Sequence, residues 1–391
     1  MGDLRVAHFH VLFEEAGGGE VLALQLYRAL REHDVDVDLY TTHVDPSAWS
    51  VLASNLGGKV PQPKVIPVKM AEWLRAAAGG RAVRLRRLVA VRAINKALAE
   101  GLLKDYDLVI ETQTNFPMNV DVSYIHFPAV YGFVEERGKG LAWKAYNWLV
   151  RHQISRALGS PLAVWTNSNW SRAYVLKAYG LKAKVIHPPV RYEELSPLFD
   201  PNRKAASKLV LTVSRISPEK NLEELPRIAS QVPEAQFYLV GSTSKYSGPV
   251  IQKIEEAVDK FRAKNFEVLT NLPWEKLKEL YAEAKVYLHP PFPEHFGIAV
   301  AEAASVGALP VVYKDGGAWT DIVEPVEPAL GYASVEEAPP TVRWALRNWS
   351  RDLAGRFNTF ASQFSYTWFS EQVYDSALDV LSLKRKALQA A

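Results

Sequence analysis

The residues best suited to chemistry lie in Phe292-Pro-Glu294-His-Phe296-Gly297-Ile298-Ala-Val-Ala-Glu302, where two glutamates stand eight positions apart. Proline lacks an amide donor and biases its predecessor away from the helical region, so Pro290, Pro291 and Pro293 keep the chain extended up to Glu294. A helix is therefore predicted to start at about Phe296. Its first turn, at Phe296, Gly297 and Ile298, would present backbone N–H groups and the positive end of a helix dipole, which is a seat for a phosphate. Glu294 would stand at the mouth of that seat, and Glu302, about two turns down, would reach a neighbouring part of the same ligand. A nucleoside diphosphate carrying a sugar needs these parts: donors for its phosphates, and carboxylates that accept from ribose and sugar hydroxyls. Read alone, the pair also fits a capping carboxylate followed by an ordinary surface glutamate.

A second element lies upstream, Val213-Ser214-Arg215-Ile-Ser217-Pro218-Glu219-Lys220-Asn221-Leu222. It follows the apolar run Leu209 to Val213, which reads as a buried strand, and precedes a helical pattern from Leu222 to Ala229. Arg215 and Lys220 thus fall on a strand-to-helix loop at the carboxyl end of a strand, where open α/β sheets bind ligands. Two cations there suit a diphosphate leaving group, Arg215 as a bidentate fork and Lys220 as a point charge. Taken singly, Lys220 also fits a solvated loop lysine and Arg215 a structural ion-pair partner. Together with Glu294 and Glu302 the constellation reads as a donor site: Glu302 on the ribose, Arg215 and Lys220 on the diphosphate, Glu294 on the sugar.

Near the N-terminus, Gly17-Gly18-Gly19-Glu20 follows the first strand and opens a helix from Val21 to about Arg31. Glycines there let backbone approach a phosphate or sugar closely. The run is neither a Walker loop nor a dinucleotide fingerprint, and a flexible turn is its plain alternative. His126 follows a strand at Val122 to Ile125 and is held extended by Pro128, a place from which an imidazole can reach a sugar hydroxyl or serve structurally. Asp34-Val-Asp36-Val-Asp38 alternates with valines on a predicted strand and reads as a solvated face rather than a metal site. His8 and His10 share one strand face, but no third ligand has clear spacing.

The elements that must position these groups are short apolar runs alternating with helical patterns, the signature of parallel α/β sheets. Strands are predicted near Val6 to Val11, Val35 to Tyr40, Val65 to Val68, Leu108 to Thr112, Val122 to Ile125, Ala163 to Thr166 and Lys184 to Ile186. A second series runs near Leu209 to Val213, Phe237 to Val240, Phe266 to Leu269, Val286 to His289 and Leu309 to Val312. Helices are expected near Pro249 to Ala263, Trp274 to Ala284 and Tyr366 to Leu383. The expected fold is α/β, two doubly wound Rossmann-like domains facing across a cleft. Their bounds are 1–187 for an acceptor-binding domain, 188–206 for a connector, 207–362 for a nucleotide-sugar-binding domain, and 363–391 for a final helix.

The chain resembles the family-4 retaining glycosyltransferases of GT-B fold along nearly its whole length. The resemblance rests on Ala16-Gly17-Gly18-Gly19-Glu20, Ser123-Tyr124-Ile125-His126-Phe127-Pro128, Ser214-Arg215-Ile-Ser-Pro218-Glu219-Lys220, Glu294-His295-Phe296-Gly297-Ile298 and Asp315-Gly316-Gly317. Within that group it looks nearest to the α-1,2-mannosyltransferases that extend lipid-linked oligosaccharides from GDP-mannose, although Tyr313-Lys314-Asp315 departs from their usual loop. The resemblance implies that the last helix crosses back onto the first domain. It also implies that Gly17, Gly18 and Gly19 face donor phosphates and that His126 contacts the transferred sugar, while no side chain is implied as a general base.

Composition agrees with a globular enzyme of two domains: 391 residues and 48% hydrophobic content. A formal charge of +3 is too slight to imply nucleic acid, and the absence of cysteine excludes disulfides and thiol catalysis. Met1-Gly-Asp-Leu-Arg5 runs into a strand with no apolar signal region, and no stretch reaches the roughly 18 apolar residues of a membrane span. A cytoplasmic protein is expected, one able to touch the inner face of a membrane. Asn169-Trp-Ser171 and Asn348-Trp-Ser350 match a glycosylation pattern that such a location leaves unused.

The clue to the acceptor is basic. From Ala71 to Lys104 the chain carries Arg75, Arg81, Arg84, Arg86, Arg87, Arg92, Lys96 and Lys104 against Glu72 and Glu100, interleaved with apolar residues. Such a segment, 71–104, suits an anionic membrane surface, and the aromatics Tyr131, Phe133, Trp143, Tyr146 and Trp148 suit its interface. A solvated helix packed on the first domain is the alternative.

The expected activity is transfer of a hexose, mannose favoured, from a nucleoside diphosphate sugar, GDP-mannose favoured, to a glycan or polyprenyl-linked acceptor. No cofactor or metal is expected, because Arg215, Lys220 and helix amides already balance the diphosphate. Competing readings are a silent sugar-nucleotide sensor and a GT-B epimerase or phosphorylase.

Overall fold

The computed structural model describes residues 4–14, 17–55, 60–66, 91, 94–130, 158–244 and 247–390. Most of the basic segment 71–104, and all of the aromatic cluster from Tyr131 to Trp148, lie outside the described residues. The chain divides into two units, Met1–Asn167 with Ser171–Ile186 and Ser370–Ala391, and Ser168–Trp170 with His187–Phe369.

Each unit is built on a parallel sheet whose central strands are buried on both faces, which is why their sequences read as continuous apolar runs. In the first unit the strands are β1 Arg5–Phe9, β3 Asp36–Thr41, β5 Lys64–Val65, β6 Leu108–Glu111, β7 Val122–Ile125, β8 Ala163–Thr166 and β9 Ala183–Val185. They lie in the order β5-β3-β1-β6-β7-β8-β9, and a small parallel pair, β2 Leu12–Phe13 and β4 His43–Val44, stands beside the sheet. Strand order reverses between β1 and β6, so the chain leaving their carboxyl ends opens a crevice at a topological switch point.

The second unit repeats the plan with β10 Leu209–Val213, β11 Gln236–Gly241, β12 Phe266–Thr270, β13 Val286–Leu288, β14 Leu309–Tyr313 and β15 Gly331–Tyr332. Their order is β12-β11-β10-β13-β14-β15, and the reversal falls between β10 and β13. The loops leaving these two strands carry Arg215 with Lys220, and Glu294. Residues 188–206 fold with this unit, forming Tyr192–Leu195 and Pro201–Ala206.

The predicted helix from Leu222 to Ala229 differs from the structure. The segment is broken into single turns at Pro218–Lys220 and Leu222–Glu224 before a helix at Leu225–Ser230. Asn221, at φ 50° in the left-handed region, separates the turns and donates from its side-chain amide to the Pro291 carbonyl at 3.0 Å. That bond ties the two loops of the switch point together.

The last helix, Tyr366–Ala390, counts with the first unit from Ser370 onward. Tyr374 stacks on His33 at 4.3 Å, and Lys384 donates to the Asp107 carbonyl at 2.7 Å and to Asp121 at 3.0 Å. No helix among the described residues is long and apolar enough to cross a membrane.

On β3, Asp36 is exposed and lies 3.4 Å from both Arg5 and Arg31. Asp38 is more enclosed, paired with Lys64 at 2.7 Å and accepting from the Tyr106 hydroxyl. Burial pushes the Asp38 carboxyl up, but these hydrogen bonds outweigh it and hold the group below its usual range.

Candidate active site

Lys220 ends the single turn Pro218–Lys220, and its Nζ reaches the Glu294 carboxylate at 2.7 Å. The pair is sheltered, with side-chain exposures of 13% and 25%, and the Lys220 ammonium lies 4.4 Å from the Phe292 ring centre. On the other side His289, which follows β13, places Nε2 3.6 Å from the same Glu294 oxygen. Burial would raise the Glu294 carboxyl. The His289 imidazole and the Lys220 ammonium outweigh it, and the group is held well below the usual carboxylate range.

The Glu294 loop is clamped by the loop after β14. Glu294 bridges Gly316 in a strand-like contact, and the Gly317 amide donates to the Glu294 carbonyl at 2.7 Å. Gly316 has φ +127°, and a Cβ there would fall 2.4 Å from the Glu294 carbonyl oxygen; one at Gly317 would fall 2.1 Å from that of His295. Residues 168–170 complete the clamp. Ser168 donates to the His295 carbonyl at 2.6 Å, and the Trp170 indole donates to Asp315 at 2.8 Å while stacking on His295. Asn169 bonds the buried Asp321, which also holds His187 at 2.8 Å.

The helix after this loop starts later than predicted. It spans Ile298–Ser305 with Gly297 as its cap at φ 100°, because the left-handed turn at Gly297 reverses the chain before helical geometry can begin. Glu302 is therefore about one turn in rather than two. Phe296 is 3% exposed and packs against His187 and Phe364, so it anchors the loop with its side chain and leaves only its backbone for a ligand. The amides of Ile298 and Ala299, ahead of those of Val300 and Ala301 that donate to the Gly297 carbonyl, are the donors such a helix start offers an anion.

Glu302 accepts from the Tyr281 hydroxyl at 2.9 Å. Burial pushes its carboxyl up to about 7, against the opposing pull of Arg191 and that hydroxyl. Arg191 lies over the Trp274 ring at 4.1 Å, and the Trp274 indole donates to Glu194. The buried Tyr287 donates to the Val213 carbonyl at 3.0 Å; its hydroxyl is held high by burial, and both Glu294 and Glu302 add to this. Arg215 stands on the same loop as Lys220, half exposed, with Glu219 at 3.8 Å.

In the first unit the helix Gly18–Glu32 begins at Gly17, whose Cβ position would lie 2.7 Å from the Glu20 carboxylate. The Glu20 carboxylate thus lies beside that helix start. Gly18 is exposed, and a Cβ on Gly19 would stand 3.7 Å from His126 Nε2. His126 Nε2 lies 3.0 Å from the Thr112 carbonyl, which only accepts, so this nitrogen carries a proton. His8 and His10 do share one face: both bond the Thr112 hydroxyl at 3.0 Å. Burial lowers His8 to about 3 and holds His10 well below its usual value, with His8 and His126 adding to the latter. No group of three residues able to hold a metal occurs among the described residues.

Two family models match consecutive parts of the chain: Glycosyltransferase Family 4 over residues 16–194, and Glycosyl transferases group 1 over residues 198–352. Sucrose-phosphate synthase from Thermosynechococcus elongatus superposes with a TM-score of 0.69 at 18% identity, covering 99% of this chain and 100% of that one. The chain belongs to the family-4 GT-B glycosyltransferases. Anabaena HepE, solved in complex with UDP and glucose, gives a TM-score of 0.69 at 17% identity over 96% of this chain and 100% of that one. A Neurospora crassa protein called GDP-Man:Man(3)GlcNAc(2)-PP-Dol alpha-1,2-mannosyltransferase is 28% identical over 219 residues, 48% of this chain and 39% of that one. The chain spans about two fifths of that relative's length.

In this family-4 glycosyltransferase the sequence reading missed His289, Ser168, Trp170 and Asp321. His289 is the last residue of a predicted strand, one position short of the place that drew attention to His126, so a signal existed. The contribution of residues 168–170 to the second unit leaves no mark in the sequence.

Proposed function

We propose that this protein is a retaining glycosyltransferase that moves a hexose, with mannose favoured, from a nucleoside diphosphate sugar to a glycan or lipid-linked acceptor. The observation that carries the reading is the sheltered Lys220–Glu294 pair at 2.7 Å, set where the sheet order reverses between β10 and β13. A cation and a carboxylate side by side match the two ends of a sugar diphosphate. Lys220 and Arg215 take the diphosphate with the amides that begin the helix Ile298–Ser305, Glu294 takes hydroxyls of the sugar, and Glu302 takes the ribose.

As the bond from the sugar carbon to the diphosphate oxygen breaks, its electron pair leaves with the diphosphate, whose negative charge grows. Lys220 and Arg215 therefore bind the transition state more strongly than the ground state, which is what lowers the barrier. No metal is assigned a part. The first unit is given the acceptor, with His126 assigned to the transferred sugar and Gly17, Gly18 and Gly19 to the donor. GDP-mannose is favoured as donor by the name of the Neurospora crassa relative, while the UDP bound to HepE keeps a uridine donor in the test.

Incubating the protein separately with GDP-mannose, UDP-glucose and UDP-N-acetylglucosamine, and following nucleotide release, tests the reading. Release of GDP from GDP-mannose is the expected result. Tight binding of a donor with no release from any would replace the transferase by a sugar-nucleotide sensor.

A further inference from the structure

We infer that His289 is a positioning residue for Glu294, holding its carboxylate when Lys220 turns from it to a diphosphate. The inference rests on the donor site proposed above and adds to it the exchange of partners that donor binding requires. Without a ligand, Glu294 Oε2 faces two nitrogens, Lys220 Nζ at 2.7 Å and His289 Nε2 at 3.6 Å, while Oε1 accepts from the His295 amide at 3.2 Å. If Lys220 is to bind phosphate, Oε2 loses its shorter contact. A sheltered carboxylate stripped of its partner is costly, so Lys220 would stay on Glu294 unless another donor took its place.

His289 is built for that place. It is 6% exposed, its amide donates to the Val311 carbonyl at 2.8 Å, and its carbonyl accepts from the Tyr332 hydroxyl at 2.6 Å. The ring is fixed by Nδ1, which lies 2.9 Å from the Pro290 carbonyl. That carbonyl only accepts, so Nδ1 carries a proton, and Nε2 donates to Glu294 when the ring is the imidazolium. The charged and titratable groups around it are Lys220, Glu294 and His295, with Tyr332 at its backbone. His295 adds its amide, which donates to Glu294 Oε1 at 3.2 Å, while burial lowers its imidazole.

The test is a double-mutant cycle read by calorimetric titration of GDP and UDP. His289→Asn keeps a donor for Pro290 but none for Glu294, and is expected to weaken nucleoside diphosphate binding by about tenfold. His289→Gln extends an amide toward Glu294 and should stay within roughly threefold of the parent. In a Glu294→Gln chain, where no carboxylate needs holding, His289→Asn should have no further effect. A loss that persists undiminished in the Glu294→Gln chain would make His289 merely structural, and parental affinity in His289→Asn would end the idea. A crystal structure of the unaltered chain with GDP or UDP reads the same exchange without substitution: Lys220 on phosphate and His289 within hydrogen-bond distance of Glu294 supports it, and Lys220 still on Glu294 overturns it. The expected cycle with no release of sugar would remove the transferase reading and leave this inference standing, whereas no nucleotide binding at all would remove both.

Discussion

Lys220 Nζ and Glu294 Oε2 meet at 2.7 Å across two loops 74 positions apart in sequence, joined a second time by the Asn221 amide on the Pro291 carbonyl. The contact makes each side chain the keeper of the other until a ligand intervenes. Lys220→Ala should lower the rate of sugar transfer by about 10²-fold or more, the scale of losing one preorganised charge partner. It should also lower stability by about 1–3 kcal/mol, since Glu294 keeps its charge with fewer donors. Transfer kinetics and a urea titration read the two effects separately, and a parental transfer rate would reject the role given to Lys220.

Glu302 gives a pH dependence. Its carboxyl is raised from 4.5 to about 7, so in the folded chain the ionised form appears only as pH rises through about 7. Donor binding that uses this carboxylate should strengthen over that interval. The folded state binds the extra proton between about pH 4.5 and 7, so this group's contribution to stability falls as pH rises across the window and is constant above it. Glu302→Gln should flatten the binding profile near pH 7, and a profile unchanged by the substitution would take Glu302 out of the donor site.

Gly316 should tolerate no side chain. At φ +127° with Glu294 backbone 2.4 Å from its Cβ position, Gly316→Ala combines backbone strain of about 1–3 kcal/mol with a clash that moves the Glu294 loop. Transfer should fall by about 10²-fold, the scale of misplacing a positioned group by 1 Å. Thermal unfolding should show the strain as a lower Tm. Full activity in this variant would mean that the clamp on Glu294 does not position it.

Transfer should survive chelation. With Lys220, Arg215 and helix amides assigned to the diphosphate, activity measured with excess EDTA should match that measured with added magnesium or manganese. A loss on chelation that a divalent ion restores would place a metal where the two cations are assigned.

Much of the fold was legible because parallel strands buried on both faces leave uninterrupted apolar runs, as in Leu209 to Val213 and Val122 to Ile125. β15 was not, since two residues, Gly331 and Tyr332, carry no pattern. The helix start was placed at Phe296 on the strength of the prolines, but the left-handed turn at Gly297 moved it to Ile298. Within the site, Lys220 and Glu294 were legible as chemistry, whereas their pairing depends on how the loops leaving two neighbouring central strands meet, which spacing does not encode. The Ser168–Trp170 clip was illegible for a different reason: its partners, His295, Asp321 and Asp315, are more than a hundred residues away.

The central claim is that the carboxyl end of the second sheet, where β10 and β13 lie side by side, binds the diphosphate of an activated sugar. Calorimetric titration of GDP, UDP and ADP into the parent chain and into an Arg215→Ala, Lys220→Ala double variant tests it most directly. The account predicts saturable binding of one nucleotide to the parent, with GDP favoured, and a loss of at least about tenfold in affinity in the variant. No binding by the parent, or equal affinity in a folded variant, would contradict it.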